Sequence, residues 1–172
     1  ILRPDRVLCV GSRYGYIPAI CAMACKDNKK GIVDFVDAGF DQANPKHNAV
    51  LGAPKSTHWG GVGFWNTVNI RKHFGVFGLE KHIEFYKETS VGFASHSKQR
   101  RWEYVYLDGD HSYRGISQDF TLFWPRIPKG GMMSIHDIYT DKLGDLSYGV
   151  KQFWQRVAMK QHGHIEMGRL FG

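Results

Sequence analysis

Tyr104-Val-Tyr-Leu-Asp108-Gly-Asp110-His111-Ser-Tyr113 is an apolar run that stops abruptly in two acids and a histidine. A second run, Met132-Met-Ser-Ile-His136-Asp137, ends the same way twenty-five residues after His111. A buried strand has no reason of its own to finish in charge, because a carboxylate taken out of water must be paired or bound. In open α/β sheets ligands sit beyond the carboxyl ends of the strands. Two strand ends loaded with Asp and His therefore read together as the mouth of a site. Either ending alone reads equally well as a polar turn.

Outward from these two runs, strands and helices alternate. Apolar runs at 6–10, 32–37, 83–87, 104–108 and 132–136 are the expected strands. Helices are expected at 18–25, where Pro18 falls in the first turn, at 64–74, at 116–124 before Pro125, and at 150–161. A further strand pair is expected to begin at 164–170. This alternation predicts an α/β fold of Rossmann-like type, a mostly parallel twisted sheet with helices on both faces. The stretch 38–63 has little regular pattern and is rich in Gly, Pro, Asn and His, as functional loops often are.

With 172 residues, 42% of them hydrophobic, the chain can bury one sizeable core, and no apolar run approaches the roughly 20 residues that cross a bilayer. It opens Ile1-Leu-Arg-Pro-Asp-Arg, without an initiator Met or a leader-like segment, and reads as one domain over 1–172, trimmed at one or both ends. Cys9, Cys21 and Cys25 are odd in number, lack metal-finger spacing and sit in apolar surroundings, which fits reduced core residues of a cytoplasmic protein. The net charge of +7 comes from 23 Lys and Arg against 16 Asp and Glu. The clusters Lys29-Lys30, Arg71-Lys72-His73 and Lys98-Gln-Arg100-Arg101 are short and scattered and are not interleaved with aromatics, so a nucleic-acid track is not expected.

Between the first strand and first helix lies Gly11-Ser12-Arg13-Tyr14-Gly15. Glycines there let a ligand approach the backbone, and the following helix start favours negative or electron-rich groups. Asp37 ends the second strand 22 residues past Gly15, a spacing suited to accepting hydrogen bonds from ribose hydroxyls. The full G-x-G-x-x-G is absent, which favours a nucleoside-like ligand without pyrophosphate over a dinucleotide.

On Val7-Leu-Cys-Val-Gly-Ser-Arg-Tyr-Gly15, Tyr106-Leu-Asp-Gly-Asp-His-Ser-Tyr113 with Asp119, Pro128-Lys-Gly-Gly131, Ile135-His-Asp137 and Gly149-Val-Lys-Gln-Phe-Trp154, the chain resembles class I S-adenosylmethionine-dependent methyltransferases. Within them it is most similar to the macrocin and mycinamicin sugar O-methyltransferases and the cephalosporin-biosynthesis methyltransferase group. The resemblance implies that Gly11, Ser12 and Gly15 line the methionine part of the cofactor with Tyr14 nearby, that Asp37 holds the ribose, and that Glu88-Thr89-Ser90 flank the adenine. It implies that Asp108 lies under the reactive methyl group. Two positions depart from the pattern: Cys9 and Thr89 stand where relatives often carry acids.

In several relatives an acid after the fourth strand and two residues after the fifth hold a divalent ion, which here implies Asp108, His136 and Asp137. Two carboxylates suit Mg²⁺, whereas the imidazole suits Mn²⁺ better. In other relatives the histidine is a base and no metal is used. His111 is a second candidate base, with Asp110 to orient it or bind substrate, and His47 and His58 in the long loop are within conceivable reach. The implied activity is methyl transfer to a small hydroxylated acceptor, with Asp108, His111 and His136 as the catalytic candidates. The alternatives are a methyltransferase acting on RNA or another polyanion, and a nucleoside-binding domain without catalysis. Self-association into a homo-oligomer is compatible with the sequence.

Overall fold

The computed structural model describes residues 2–39, 64–143, 146–160 and 163–167. Its centre is a five-stranded sheet of β1 (Arg6–Val10), β2 (Ile32–Val36), β3 (Ile83–Tyr86), β4 (Tyr104–Leu107) and β5 (Met132–Ile135). The spatial order is β3-β2-β1-β4-β5, and every neighbouring pair is parallel. This is the Rossmann-like arrangement, with the order reversing between β1 and β4.

The helices are α1 (Tyr16–Asp27), α2 (Phe64–Thr67), α3 (Ile70–Gly75), α4 (Ser90–His96), α5 (Tyr113–Phe123) and α6 (Val150–Arg156). Short polar side chains start three of them. Asn69 accepts from the Lys72 N–H at the head of α3, Thr89 from Gly92 on α4, and Ser112 from Gly115 on α5. Such caps satisfy backbone donors that a first helical turn otherwise leaves bare.

Alternate residues along each strand feed two cores, one on each face of the sheet. Leu8, Val10, Val36, Val105 and Leu107 pack with Phe93 of α4, Ile116 and Phe123 of α5 and Phe153 of α6. Val7, Cys9, Val33, Phe35 and Tyr106 pack with Ala22 and Cys25 of α1, Trp65 of α2 and Phe74 of α3. The buried Asp34 lies within β2, where its carboxylate accepts from Arg6 Nε (2.9 Å), Arg100 Nη1 (3.2 Å) and Trp102 Nε1 (2.7 Å).

Three expectations need correction. The helix expected over 64–74 is two, because Asn69 leaves the helical conformation at φ −74°, ψ 111° and turns its side chain onto the next helix start. The helix expected over 150–161 stops at Arg156 and continues only as a 3₁₀ turn, Ala158–Lys160. No strand runs over 163–167; the remainder of that expected pair lies outside the described residues. A two-stranded antiparallel hairpin forms earlier instead, β6 (Lys142–Leu143) with β7 (Leu146–Ser147).

Candidate active site

The carboxyl ends of β1, β2, β4 and β5 open on one side of the sheet, and the glycine turn leaves β1 there. Gly11 adopts φ 72°, and a Cβ at this position would collide with the backbone of Asp108 and Gly109. Its N–H donates to the Val36 carbonyl at 2.8 Å. The turn is thus wedged between β2 and the acid-bearing end of β4, a close approach that only glycine permits. Gly15, at φ 78°, packs against the rings of Trp65 and Phe74, which a Cβ would meet at 2.8 Å. Its close packing is therefore with the aromatic core under the turn. Tyr14 is half exposed and meets the Phe64 ring edge-on at 5.1 Å.

Ser12 is buried, and its N–H lies 3.4 Å from Asp37 Oδ2, while the Gly39 N–H donates to Asp37 Oδ1 at 2.8 Å. Burial pushes the Asp37 carboxyl up, and these two backbone donors only partly offset it. Further hydroxyl donors would stabilise its ionised form. The departure at Cys9 is a core feature: the residue is fully buried and its thiol hydrogen-bonds Cys21 of α1. At the third strand end, Thr89 spends its hydroxyl on capping α4, and Glu88 accepts from His96 Nε2 at 2.8 Å. Ser90 hydrogen-bonds the buried Asp119.

Asp108 and Asp137, from the two strand ends, converge with His111 and His136. His111 Nε2 lies 3.2 Å from Asp108 Oδ1 and 3.1 Å from Asp137 Oδ2. His136 Nδ1 lies 3.2 Å from Asp108 Oδ1 and 3.3 Å from Asp137 Oδ1. One ligand atom from each of the four falls within 4.8 Å of all the others. Asp137 reaches this position from a left-handed backbone, φ 57°, which Asp tolerates better than most residues.

The electrostatics follow from this crossing of two carboxylates with two imidazoles. Burial alone would lower His111, but hydrogen bonds to Asp108 and Asp137 outweigh it and push the group up to about 9. The same two carboxylates push His136 up to about 10. Burial would raise both acids, yet the histidines hold Asp108 and Asp137 below the ordinary carboxylate range. Near neutral pH the four groups are therefore two cations balancing two anions.

Spacing alone did not show that His111 belongs with the set read as Asp108, His136 and Asp137. Its signal was present in the i,i+3 relation to Asp108 across a turn. Asp110 turns the other way: its Oδ1 accepts from the Ser112 N–H at 2.8 Å and its carboxylate packs on Gly115 of α5. His47 and His58 lie outside the described residues. Among the other histidines, His82 Nδ1 is 3.2 Å from the Gly31 carbonyl and His73 packs edge-on against Phe74, so both serve the fold.

A family model described as a methyltransferase domain matches residues 8–138. No curated protein matches the chain. Among solved structures, a Bacillus cereus O-methyltransferase in complex with SAH is similar over 92% of this chain and 64% of its own, at 12% identity and TM-score 0.59. A Klebsiella pneumoniae protein assigned as an O-methyltransferase is similar over 92% of this chain and 63% of its own, at 13% identity and TM-score 0.59. An SAH-bound Podospora anserina methyltransferase is similar over 88% of this chain and 56% of its own, at 14% identity and TM-score 0.52. The chain thus spans less than two thirds of the length of the solved proteins it matches.

Proposed function

Because the chain belongs to the methyltransferase-domain family, we propose that it transfers a methyl group from S-adenosylmethionine to a hydroxyl of a small acceptor. The observation that carries this reading is the cluster of Asp108, His111, His136 and Asp137 at two strand ends, with the glycine turn packed directly against the Asp108 backbone. The order of Asp-Gly-Asp-His-Ser-Tyr, Gly-Gly and His-Asp supports placement near the macrocin, mycinamicin and cephalosporin-biosynthesis group. Three free thiols support a reducing, cytoplasmic setting.

When bound, S-adenosylmethionine supplies an electrophilic methyl on a sulfonium sulfur, which leaves as the thioether S-adenosylhomocysteine. The turn at Gly11, Ser12 and Gly15, with Tyr14 beside it, borders the methionine end. Asp37 would accept from the ribose hydroxyls, and Glu88, Thr89 and Ser90 would border the adenine. Asp108 would compensate the sulfonium charge. Methyl transfer would exchange the carbon–sulfur bond for a bond from the acceptor oxygen to the methyl carbon, and the hydroxyl proton would pass to the His111 imidazole in its neutral form, which becomes populated as pH rises towards about 9. In such an in-line attack, alignment of the two reactants accounts for most of the acceleration.

The donor set also fits a divalent ion, held by Asp108, His136 and Asp137, and two carboxylates with imidazole suit Mn²⁺ better than Mg²⁺. When bound, such an ion would supply a positive charge that acidifies an acceptor hydroxyl. A cation held by Asp108 and Asp137 would compete for the carboxylates that push His111 up, and would leave its imidazole freer to take a proton.

Calorimetry with S-adenosylhomocysteine tests the cofactor assignment. The protein should bind it, and Asp37→Ala should weaken binding by about 1–3 kcal/mol, the range for losing a buried hydrogen-bond partner. Absence of binding by the folded protein would sink the proposal. For the ion, chelation should abolish turnover and Mn²⁺ should restore it. Turnover unaffected by chelation would remove the metal and leave His136 as a hydrogen-bonding or base residue.

A further inference from the structure

Tyr148 lies in the strap that returns from Asp137, through the β6–β7 hairpin, to α6. Its ring is buried against the His111 imidazole, with centroids 4.7 Å apart and planes 34° apart. The backbone of the same strap is tied to the same residue, since the Gly149 N–H donates to the His111 carbonyl at 2.8 Å. Gly149 can lie this close because it has no Cβ, which would otherwise collide with Tyr113 at the start of α5. At its other end the strap closes on itself, with the Tyr148 N–H donating to the Asp141 carbonyl at 2.9 Å. Val150 and Phe153 then anchor it in the core.

His111 needs such a support. It sits on a loop between β4 and α5, yet its Nε2 is shared between two carboxylates at 3.2 and 3.1 Å. Rotation of the ring by a few tens of degrees would break at least one of those bonds. A flat aromatic side chain pressed on one face of the imidazole restricts that rotation.

We propose that Tyr148 is a positioning residue: its ring fixes the plane of His111 so that Nε2 points at both Asp108 and Asp137. The role rests on the planar ring, and it deepens the proposed function, which gives His111 its part in the site. Burial and the charges of Asp137 and Asp108 push the Tyr148 phenol up to about 12, with Arg13 pulling the other way.

The test is proton NMR of the full, chelator-treated protein, following the His111 imidazole Nε2–H assigned through His111→Gln. Tyr148→Phe should keep the exchange rate of this proton within about twofold of the parent, whereas Tyr148→Leu should accelerate it by about tenfold or more. Should Tyr148→Leu fail to fold, Tyr148→Met, flexible and without a plane, takes its place. An unchanged exchange rate in the leucine or methionine variant would overturn the proposal. So would a phenylalanine variant that exchanges as fast as they do, since the hydroxyl would then be the active part. Calorimetry with S-adenosylhomocysteine separates this role from the cofactor reading. Binding by the variants should stay within about twofold of the parent, and a loss of more than about tenfold in Tyr148→Leu would assign the residue to the donor turn and overturn the proposal. A parent protein that binds no S-adenosylhomocysteine would defeat the methyltransferase reading while leaving the NMR comparison to decide on Tyr148.

Discussion

Asp119 is a buried acid on α5 whose carboxyl is pushed up to about 6, first by burial and further by Asp110, with Ser90 pulling it down. Its ordinary value is 3.8, so the folded state holds the proton more tightly than the unfolded chain. Its cost to stability is complete above about 6 and is relieved as pH falls through 6 towards 3.8. Asp119→Asn should therefore raise stability near pH 7.5, by at most about 3 kcal/mol at about 1.4 kcal/mol per pH unit, and flatten the slope between pH 4 and 7. Urea denaturation of both proteins across that range checks it; equal slopes would refute the assignment. At this scale the sequence was most legible where charge contradicted its surroundings. Asp108 and Asp137 announced themselves because apolar runs ended in them. The resemblance marked Asp119 only as a motif position. Tyr148 was not legible, because an aromatic after a polar turn is ordinary and its partner lies 37 positions earlier.

Among the elements, the strands were readable nearly to the residue because each is a short apolar run closed by Gly, Asp or a polar turn. The helices were less so. A spaced apolar pattern survives a two-residue break, which is how Val68 and Asn69 divide what reads as one helix into α2 and α3. The β6–β7 hairpin has two residues per strand, too few for alternation to register. Asp34 was legible in principle, since an acid inside Ile32-Val-Asp-Phe-Val must find partners, but those partners come from positions 28 to 68 residues away. Arg6, Arg100 and Trp102 meet on it and join β1, β2 and the lead-in to β4. Asp34→Ala would leave that chemistry without its acceptor and should cost about 3–5 kcal/mol. Chemical denaturation followed by Trp fluorescence measures this, and a loss below about 1 kcal/mol would show the network to be peripheral. On α1, Cys21 is lowered by its bond from Cys9, whereas burial pushes Cys9 and Cys25 up. An alkylating reagent at limiting concentration should label Cys21 first, as peptide mapping would show.

For the molecule as a whole, part of the basic charge is paired with acids of the same chain. Arg6 and Arg100 are bonded to Asp34, and Lys30 and Lys151 pair with Asp5 and Asp141. Arg126 lies over the rings of Trp102 and Phe123 at 5.9 and 5.7 Å. Such dispersed and partly neutralised charge predicts RNA binding that is non-specific, with Kd on the order of 10⁻⁴–10⁻⁶ M at physiological salt, and that weakens steeply as salt rises. Filter binding across a salt series checks this. Sequence-selective binding that survives moderate salt would favour a polyanionic acceptor. No helix among the described residues is long and apolar enough to cross a membrane.

The contact of Gly11 with the Asp108 backbone bears on how such a molecule could change its acceptor. Donor turn and strand-end acid share one wall, so neither can be shifted without moving the other. Under the proposed function the gap between methyl donor and attacking oxygen is then set by the sheet itself, and a displacement of about 1 Å there would cost on the order of a hundredfold in rate. Variants selected for a new acceptor should accordingly leave residues 11 and 108 untouched. Their substitutions should gather in segments that border the site without packing on that wall.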